Sequence, residues 1–252
     1  MKQLILTPKS FLGATTISRN YTILEINYSD FTETEQLEIL SEANKILNNA
    51  HSRAANSNII RNEKTKENDA FAGILAEFAI MKFLNSLQQN SAYRPIITST
   101  KNQIDIIWKY QKIDFSLEVR SSFVRNGIEF ALYAINPAKE ETYFDVLGPY
   151  YQEYKTTYDN QRDVYARVLF SGTKYNVKER FITQKESFYI IGFMYGEYLV
   201  NLNLHKSLES DDSTFSKFGS KTGDYLVSPI NNITDIETFM VNLNNKSLNP
   251  FN

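Results

Sequence analysis

The sequence predicts an α/β (α+β) fold in which an antiparallel meander packs beside helices, and three stretches carry that prediction. Residues 69–87, DAFAGILAEFAIMKFLNSL, are apolar nearly all the way round a helical wheel, as a helix buried on most sides should be. Residues 104–121, IDIIWKYQKIDFSLEVRS, alternate apolar and polar positions on two arms about a loop centred between Gln111 and Lys112. That period of two is the signature of a β-hairpin. After an Asn126-Gly127 turn, where Asn-Gly supplies positive φ cheaply, Ile128–Ile135 reads as a third strand.

The hairpin's apolar pattern also predicts its register. Ile106 should face Leu117, Ile104 should face Val119, and Asp105 should lie directly across from Glu118. A slip of one residue would turn one arm's apolar set to the wrong face. Directly opposed side chains have Cβ atoms about 4.5–5.5 Å apart, and like charges there are destabilising. Asp105 and Glu118, with Arg120 on the same face, therefore call for a cation between the carboxylates.

The remaining elements follow in chain order. Tyr21–Asn27, YTILEIN, resembles a short strand, whereas LTPKSFLG before it is turn-like. Asp30-Phe-Thr-Glu-Thr-Glu-Gln is expected to open a helix, with an oxygen-bearing cap candidate and early acids, that runs to Asn49, with Leu37, Leu40, Ala43 and Leu47 as an apolar stripe widened by Ile39 and Ile46. Residues 51–68 read as a polar connection and 88–95 as a loop. Residues 143–151 are turn-rich, Asp163–Phe170 alternates as a strand, and Phe188–Asn201 is either two strands broken near Tyr195-Gly196 or a strand and a turn. Residues 205–224 read as loop, DYLVSPI as a strand and Ile233–Leu243 as a closing helix.

No repeat or linker divides the chain. A single domain over 1–252 is expected, with its core at about 69–200, a helical segment at about 30–68 and a strand and helix at about 224–245. Lys and Arg number 27 against 29 Asp and Glu, so net charge is −2 and does not announce a polyanionic partner. One local exception is 155–185, where seven Lys or Arg outnumber three acids with Tyr158, Tyr165 and Tyr175 interleaved. That run is a candidate polyanion-facing surface, although such runs are more often solvated faces. Cysteine is absent, which excludes disulfides, thiolate metal sites and cysteine nucleophiles. No apolar run reads as a signal peptide or membrane span, and a cytoplasmic protein is expected.

Within the apolar helix stands one acid, Glu77. A buried glutamate is costly unless it is paired or bound to a metal. The alternative is a narrow polar stripe of Asp69, Gly73 and Glu77. His51 and His205 share no neighbourhood of acids, so neither a zinc site nor a Ser-His-Asp triad has a signature.

A helix bearing Glu77, a strand with Asp105 and a strand carrying Glu118-Val119-Arg120 together resemble the PD-(D/E)XK nuclease superfamily, which includes many type II restriction endonucleases. The resemblance covers residues 69–135. Glu77 matches the family's helical acid, Asp105 its motif Asp, and Glu118 the acid of (Asp/Glu)-x-Lys. Two positions depart from the pattern: Ile104 precedes Asp105 in place of Pro, and Arg120 stands at the Lys position. Arginine can orient and stabilise negative charge but stays protonated and cannot act as a base. Lys109, four residues beyond Asp105, is a conceivable substitute, but an ordinary strand-end lysine is the preferred reading.

The resemblance implies a central mixed sheet flanked by helices, a restriction-endonuclease-like core. It also implies Mg²⁺-dependent phosphodiester hydrolysis of double-stranded DNA by a homodimer, with Mn²⁺ a possible substitute. Metal ligands would be Asp105, Glu118, the Val119 carbonyl and Glu77, and Arg120 would contact the scissile phosphate. Two rivals use the same residues: a nucleic-acid-binding module that does not cut, and a surface ion-pair cluster without a ligand.

Overall fold

The computed structural model describes residues 1–7, 20–49, 62–96, 104–124, 126–133, 135–136, 141–142, 144–151, 161–173, 175–183, 186–208 and 223–251. Its centre is a mixed eight-stranded sheet. In chain order the strands are β1 (Lys2–Leu6), β2 (Tyr21–Ile26), β3 (Ala92–Tyr93), β4 (Ile106–Tyr110), β5 (Ile113–Val124), β9 (Val164–Ser171), β10 (Phe188–Tyr195) and β13 (Thr234–Asp235). The spatial order is β1-β2-β10-β9-β5-β4-β3, with β13 pairing β10. All pairings are antiparallel except β5 with β9, which run parallel. The sheet thus extends beyond residues 69–200, drawing in β1 and β2 from the N-terminal stretch.

Two layers cover the sheet. On one face lie α1 (Glu33–Asn49), α2 (Glu63–Leu87), α4 (Val177–Ile182) and α6 (Ile236–Asn244). On the other lie α3 (Ile128–Tyr133), α5 (Gly196–Leu202) and a three-stranded sheet, ordered β11 (His205–Leu208), β12 (Gly223–Ser228), β8 (Val146–Tyr151). A two-stranded ribbon, β6 (Ile135–Asn136) with β7 (Glu141–Thr142), completes the elements.

The hairpin forms as its alternation requires. Ile106 pairs with Leu117, Trp108 with Phe115 and Tyr110 with Ile113, about a turn in which Gln111 and Lys112 both take positive φ. Two consecutive positive φ values match the twist of a two-residue hairpin loop. Trp108 is buried, its indole N–H donating to Ser91 Oγ at 3.0 Å. It packs among Phe115, Phe239 and Phe251 at centroid distances of 5.4–5.9 Å. Such aromatic contacts add about 0.5–1.5 kcal/mol each beyond area burial.

Several expectations are corrected. Residues 128–133 form helix α3, not a strand, because Ile128, Ala131 and Leu132 recur at helical spacing and pack into the core beneath them. The antiparallel meander is therefore β3-β4-β5, with Ala92–Tyr93 supplying the strand missed in 88–95. Helix α2 begins six residues early, at Glu63, because Asn62 caps it by accepting from Thr65 N–H at 2.8 Å. The oxygen-bearing cap of α1 is Thr32: its hydroxyl accepts from Glu35 N–H while the Glu35 carboxylate accepts from Thr32 N–H. Of the expected stripe on α1, Ala43 and the widening Ile39 are buried, whereas Leu37 is 69% exposed.

Strand β8 occupies much of the turn-rich 143–151, and β11 opens the supposed loop from residue 205. At Tyr195-Gly196 the chain passes from β10 directly into α5. Helix α2 is long and apolar enough to cross a membrane by length and composition alone, contrary to the sequence expectation, yet 67% of its most apolar window is buried against the protein. It is a core helix.

A candidate active site where helix, hairpin end and arginines meet

Asp105 does not sit in the ladder opposite Glu118. Pairing of β4 with β5 ends at Ile106, and Asp105 occupies a bend just outside it. With its strand ended, its carboxylate reaches back to β5 and accepts a hydrogen bond from Val119 N–H at 2.8 Å. In a β-strand the N–H and C=O of one residue point the same way. The Val119 carbonyl therefore also faces this open end of β4.

Along β5, alternation sorts two sets of side chains onto opposite faces. Phe115, Leu117, Val119 and Phe123 join the helix-covered core. Glu118, Arg120 and Ser122 face the small sheet. The parallel register puts Glu118 beside Tyr165 and Arg120 beside Arg167. Asp163 fixes the start of β9, its Oδ2 accepting from both Ser116 N–H and Ser116 Oγ–H at 2.7 Å. Gly196 is needed where α5 begins, because a Cβ there would lie 2.0 Å from the Arg162 carbonyl oxygen. That close approach packs the start of α5 against the Arg162 backbone.

Glu77 reaches the same region from α2 and is only 7% exposed, so the polar-stripe alternative does not hold. Arg94 Nε stands 2.7 Å from Glu77 Oε2, an ion pair without the alignment of a hydrogen bond. The same guanidinium donates to Glu42 at 2.8 Å, linking α1 to the site. Glu118 is held more loosely, by Arg120 at 3.3 Å and Arg162 at 3.7 Å.

The three acids feel one another. Burial first, then the negative charge of Glu118, pushes Asp105 up to about 7 despite the Val119 N–H and the nearby arginines. Burial, then Asp105, pushes Glu77 up to about 8, with Arg94 opposing. Near neutral pH these two carboxyls therefore retain much of their proton population, as expected of a cluster short of cationic charge. Arg120 remains charged: burial works against it, but Glu118, Tyr225 and Asp105 outweigh that cost.

The donor types suit a hard divalent cation: carboxylates of Asp105 and Glu118, the Val119 carbonyl facing the same way, and Glu77 behind. Yet among the described residues no three His, Cys, Asp or Glu side chains already stand together as a metal cage. The acids are met instead by arginines, and the long Arg120 and Arg162 contacts to Glu118 are the ones that would have to give way.

The basic run at 155–185 is not the open surface anticipated. Arg162 is 9% exposed and Arg167 2%, both turned inward with the buried Tyr165. Lys178 pairs with Glu67, and Arg180 with Glu186. Tyr175 is exposed; Lys155, Tyr158, Lys174 and Lys185 lie outside the described residues. Lys109 is exposed above the Tyr93 ring, at 5.4 Å from its centroid, and takes no part in the site. His205 is exposed next to Asn203, and His51 lies outside the described residues.

Arg94, Arg162, Arg167 and Asp145 were not singled out as site residues from the sequence. Arg162 and Arg167 were noted only within the basic run at 155–185; Arg167 lies in a stretch, DVYARVLF, whose alternation puts it on one face with Tyr165. Arg94 carries no such signal, because only the tertiary approach of the loop to α2 brings it to Glu77. Comparison with protein-family models, curated proteins and solved structures found no match to this chain.

Proposed function

We propose that this protein is a metal-dependent DNA endonuclease of restriction or defence type, with Glu77, Asp105, Glu118 and Arg120 as its catalytic centre. One observation carries the reading: a core helix, the bend before β4 and strand β5 bring three carboxyls near enough to repel one another beside arginines, one of them bonded by Val119 N–H. An enzyme accepts the folding cost of such repulsion where a bound cation relieves it.

A divalent ion held by Asp105, Glu118, the Val119 carbonyl and Glu77 would supply Lewis acidity and acidify the attacking water. The chain's own residues do the rest. Asp105 is oriented by Val119 N–H, so its second oxygen stays available to a ligand. Arg120 steadies the phosphate and the charge that develops on it, without serving as a base. Glu77, protonated near neutrality, releases its proton as cationic charge enters. A homodimer, one site per strand, fits double-stranded cleavage at a two-fold target.

A second reading has its own observation. All three acids are already engaged, Glu77 and Glu118 by arginines and Asp105 by a backbone N–H, so the same core could hold nucleic acid without cutting it. The test is cleavage of modified and unmodified DNA of varied sequence with Mg²⁺ or Mn²⁺. Wild type should cut and Asp105→Ala should lose the activity by at least a hundredfold. Equal residual activity in the two proteins overturns the nuclease assignment.

A further inference from the structure

Beyond the carboxylates, the face of β5 and β9 under the small sheet holds an arrangement that a metal site does not explain. Arg120 and Arg167 are direct neighbours in the parallel register. Like charges in such a position destabilise a sheet, and burying them raises the cost. Arg167 is 2% exposed and donates to Ser122 Oγ at 3.0 Å and to the Arg120 carbonyl at 3.5 Å. The buried Asp145 supports its charge, but burial and Arg120 still pull Arg167 down to about 10.

Among the described residues, the contacts that hold Arg120 are long. Its amino group lies 3.3 Å from Glu118 and donates to the Gly148 carbonyl at 3.4 Å, whereas charge-assisted bonds usually close to about 2.7–2.9 Å. Arg162 Nε is 3.7 Å from Glu118. The buried Nε atoms of both Arg120 and Arg167 find no hydrogen-bond acceptor among the described residues. Guanidinium forks with slack contacts and spare donors suit a tetrahedral oxyanion, which accepts two parallel N–H bonds per fork. Glu118 and Arg120 are each about a fifth exposed (21% and 23%), so the mouth of this region opens to solvent beside the acids.

We propose that Arg162 and Arg167, with Arg120 shared between this phosphate and the scissile one, form a phosphate-binding site on the small-sheet face of the central sheet, which takes a backbone phosphate of the nucleic acid next to the scissile one. Arg120 stands at the mouth and Arg167 beneath it. The proposal rests on the nuclease reading only for the molecule that carries the phosphate. The anion-binding chemistry belongs to the arginines alone and needs no metal.

The test is calorimetric titration of the full chain with inorganic phosphate in EDTA at pH 7.5, followed by competition of the same phosphate against a DNA duplex. Saturable binding at one site is expected, weakened at least tenfold in both Arg167→Gln and Arg120→Gln. Phosphate should also displace DNA. Circular dichroism checks that each variant folds; should Arg167→Gln unfold, the partly exposed Arg120→Gln decides. Absence of saturable binding, unchanged affinity in the folded variants, or phosphate that binds without displacing DNA overturns the proposal. Because EDTA removes any metal, loss of the nuclease assignment through Asp105→Ala would leave this result standing, and the converse also holds.

Discussion

The two faces of the central sheet are built from the same strands and obey opposite rules. On the helix-covered face, β5 contributes Phe115, Leu117, Val119 and Phe123, and β9 contributes Val164, Ala166, Val168 and Phe170. On the other, the residues between them include Glu118, Arg120, Ser122, Tyr165 and Arg167, with the buried Leu169 next along β9. The first set is an ordinary core, packed against Phe83, Phe193, Phe239 and Phe251. The second puts buried cations beside one another and leaves the Nε donors of Arg120 and Arg167 without an acceptor among the described residues. Natural sequences break packing rules where a site needs it, and the helix-covered face supplies the stability that permits it.

The sharpest way to break that comparison is to truncate one residue on each face. Phe239→Ala should cost about 3–5 kcal/mol, because it removes a ring from the middle of an aromatic cluster. Arg120→Met should cost less, about 1–3 kcal/mol, because it takes a cation from Glu118, which keeps the longer Arg162 contact and some solvent, while it relieves the repulsion with Arg167. Urea denaturation measures both. If Arg120→Met lost as much as Phe239→Ala, the polar face would be structural, and its arginines would have no need of a ligand.

How much of this contrast was legible in the sequence depended on the range of the interaction. The hairpin register was legible because side-chain period and turn chemistry are local: Ile106 against Leu117 followed from alternation alone. Glu77 was legible as an anomaly, one acid in an apolar helix. The third strand was misread because IEFALY satisfies both a period of two and a short helical pattern, and contact with the core decided for helix α3. The position of Asp105 was one residue beyond what pairing could give, since a strand's end is set by where its neighbours stop. Arg94 was invisible: its role comes from a loop folding back on α2, and no spacing in the chain encodes that approach.

The acids offer the next test. Asp105 rises from 3.8 to about 7 and Glu77 from 4.5 to about 8, so the folded protein holds protons that the unfolded chain has already released. Stability is therefore greatest below pH 4, as far as these groups are concerned. It declines as pH rises through 7 to 8, and is level above. The melting temperature of metal-free protein should fall by on the order of 5 °C between pH 5 and 8.5. Asp105→Asn with Glu77→Gln should flatten the slope, and Arg94→Gln should steepen it by removing the cation that opposes the rise at Glu77. Mg²⁺ should raise the melting temperature more at pH 8 than at pH 6, because protons compete for its ligands. A flat profile in wild type would mean that the acids are not coupled.

The smallest expected effect separates the site from the rest of the hairpin that carries it. Lys109 shares a strand with the approach to Asp105 and, by sequence alone, could stand in for the missing motif lysine. It is exposed, pairs across the ladder with Asp114, and lies over the Tyr93 ring. An exposed cation–π contact is worth about 0.5–1 kcal/mol. Lys109→Ala should therefore shift stability by no more than about that amount and leave cleavage of DNA unchanged within twofold. A hundredfold loss of cleavage in Lys109→Ala, at unchanged stability, would move the catalytic cation from Arg120 to the far end of β4 and place the working site on the edge of the hairpin instead of under the small sheet.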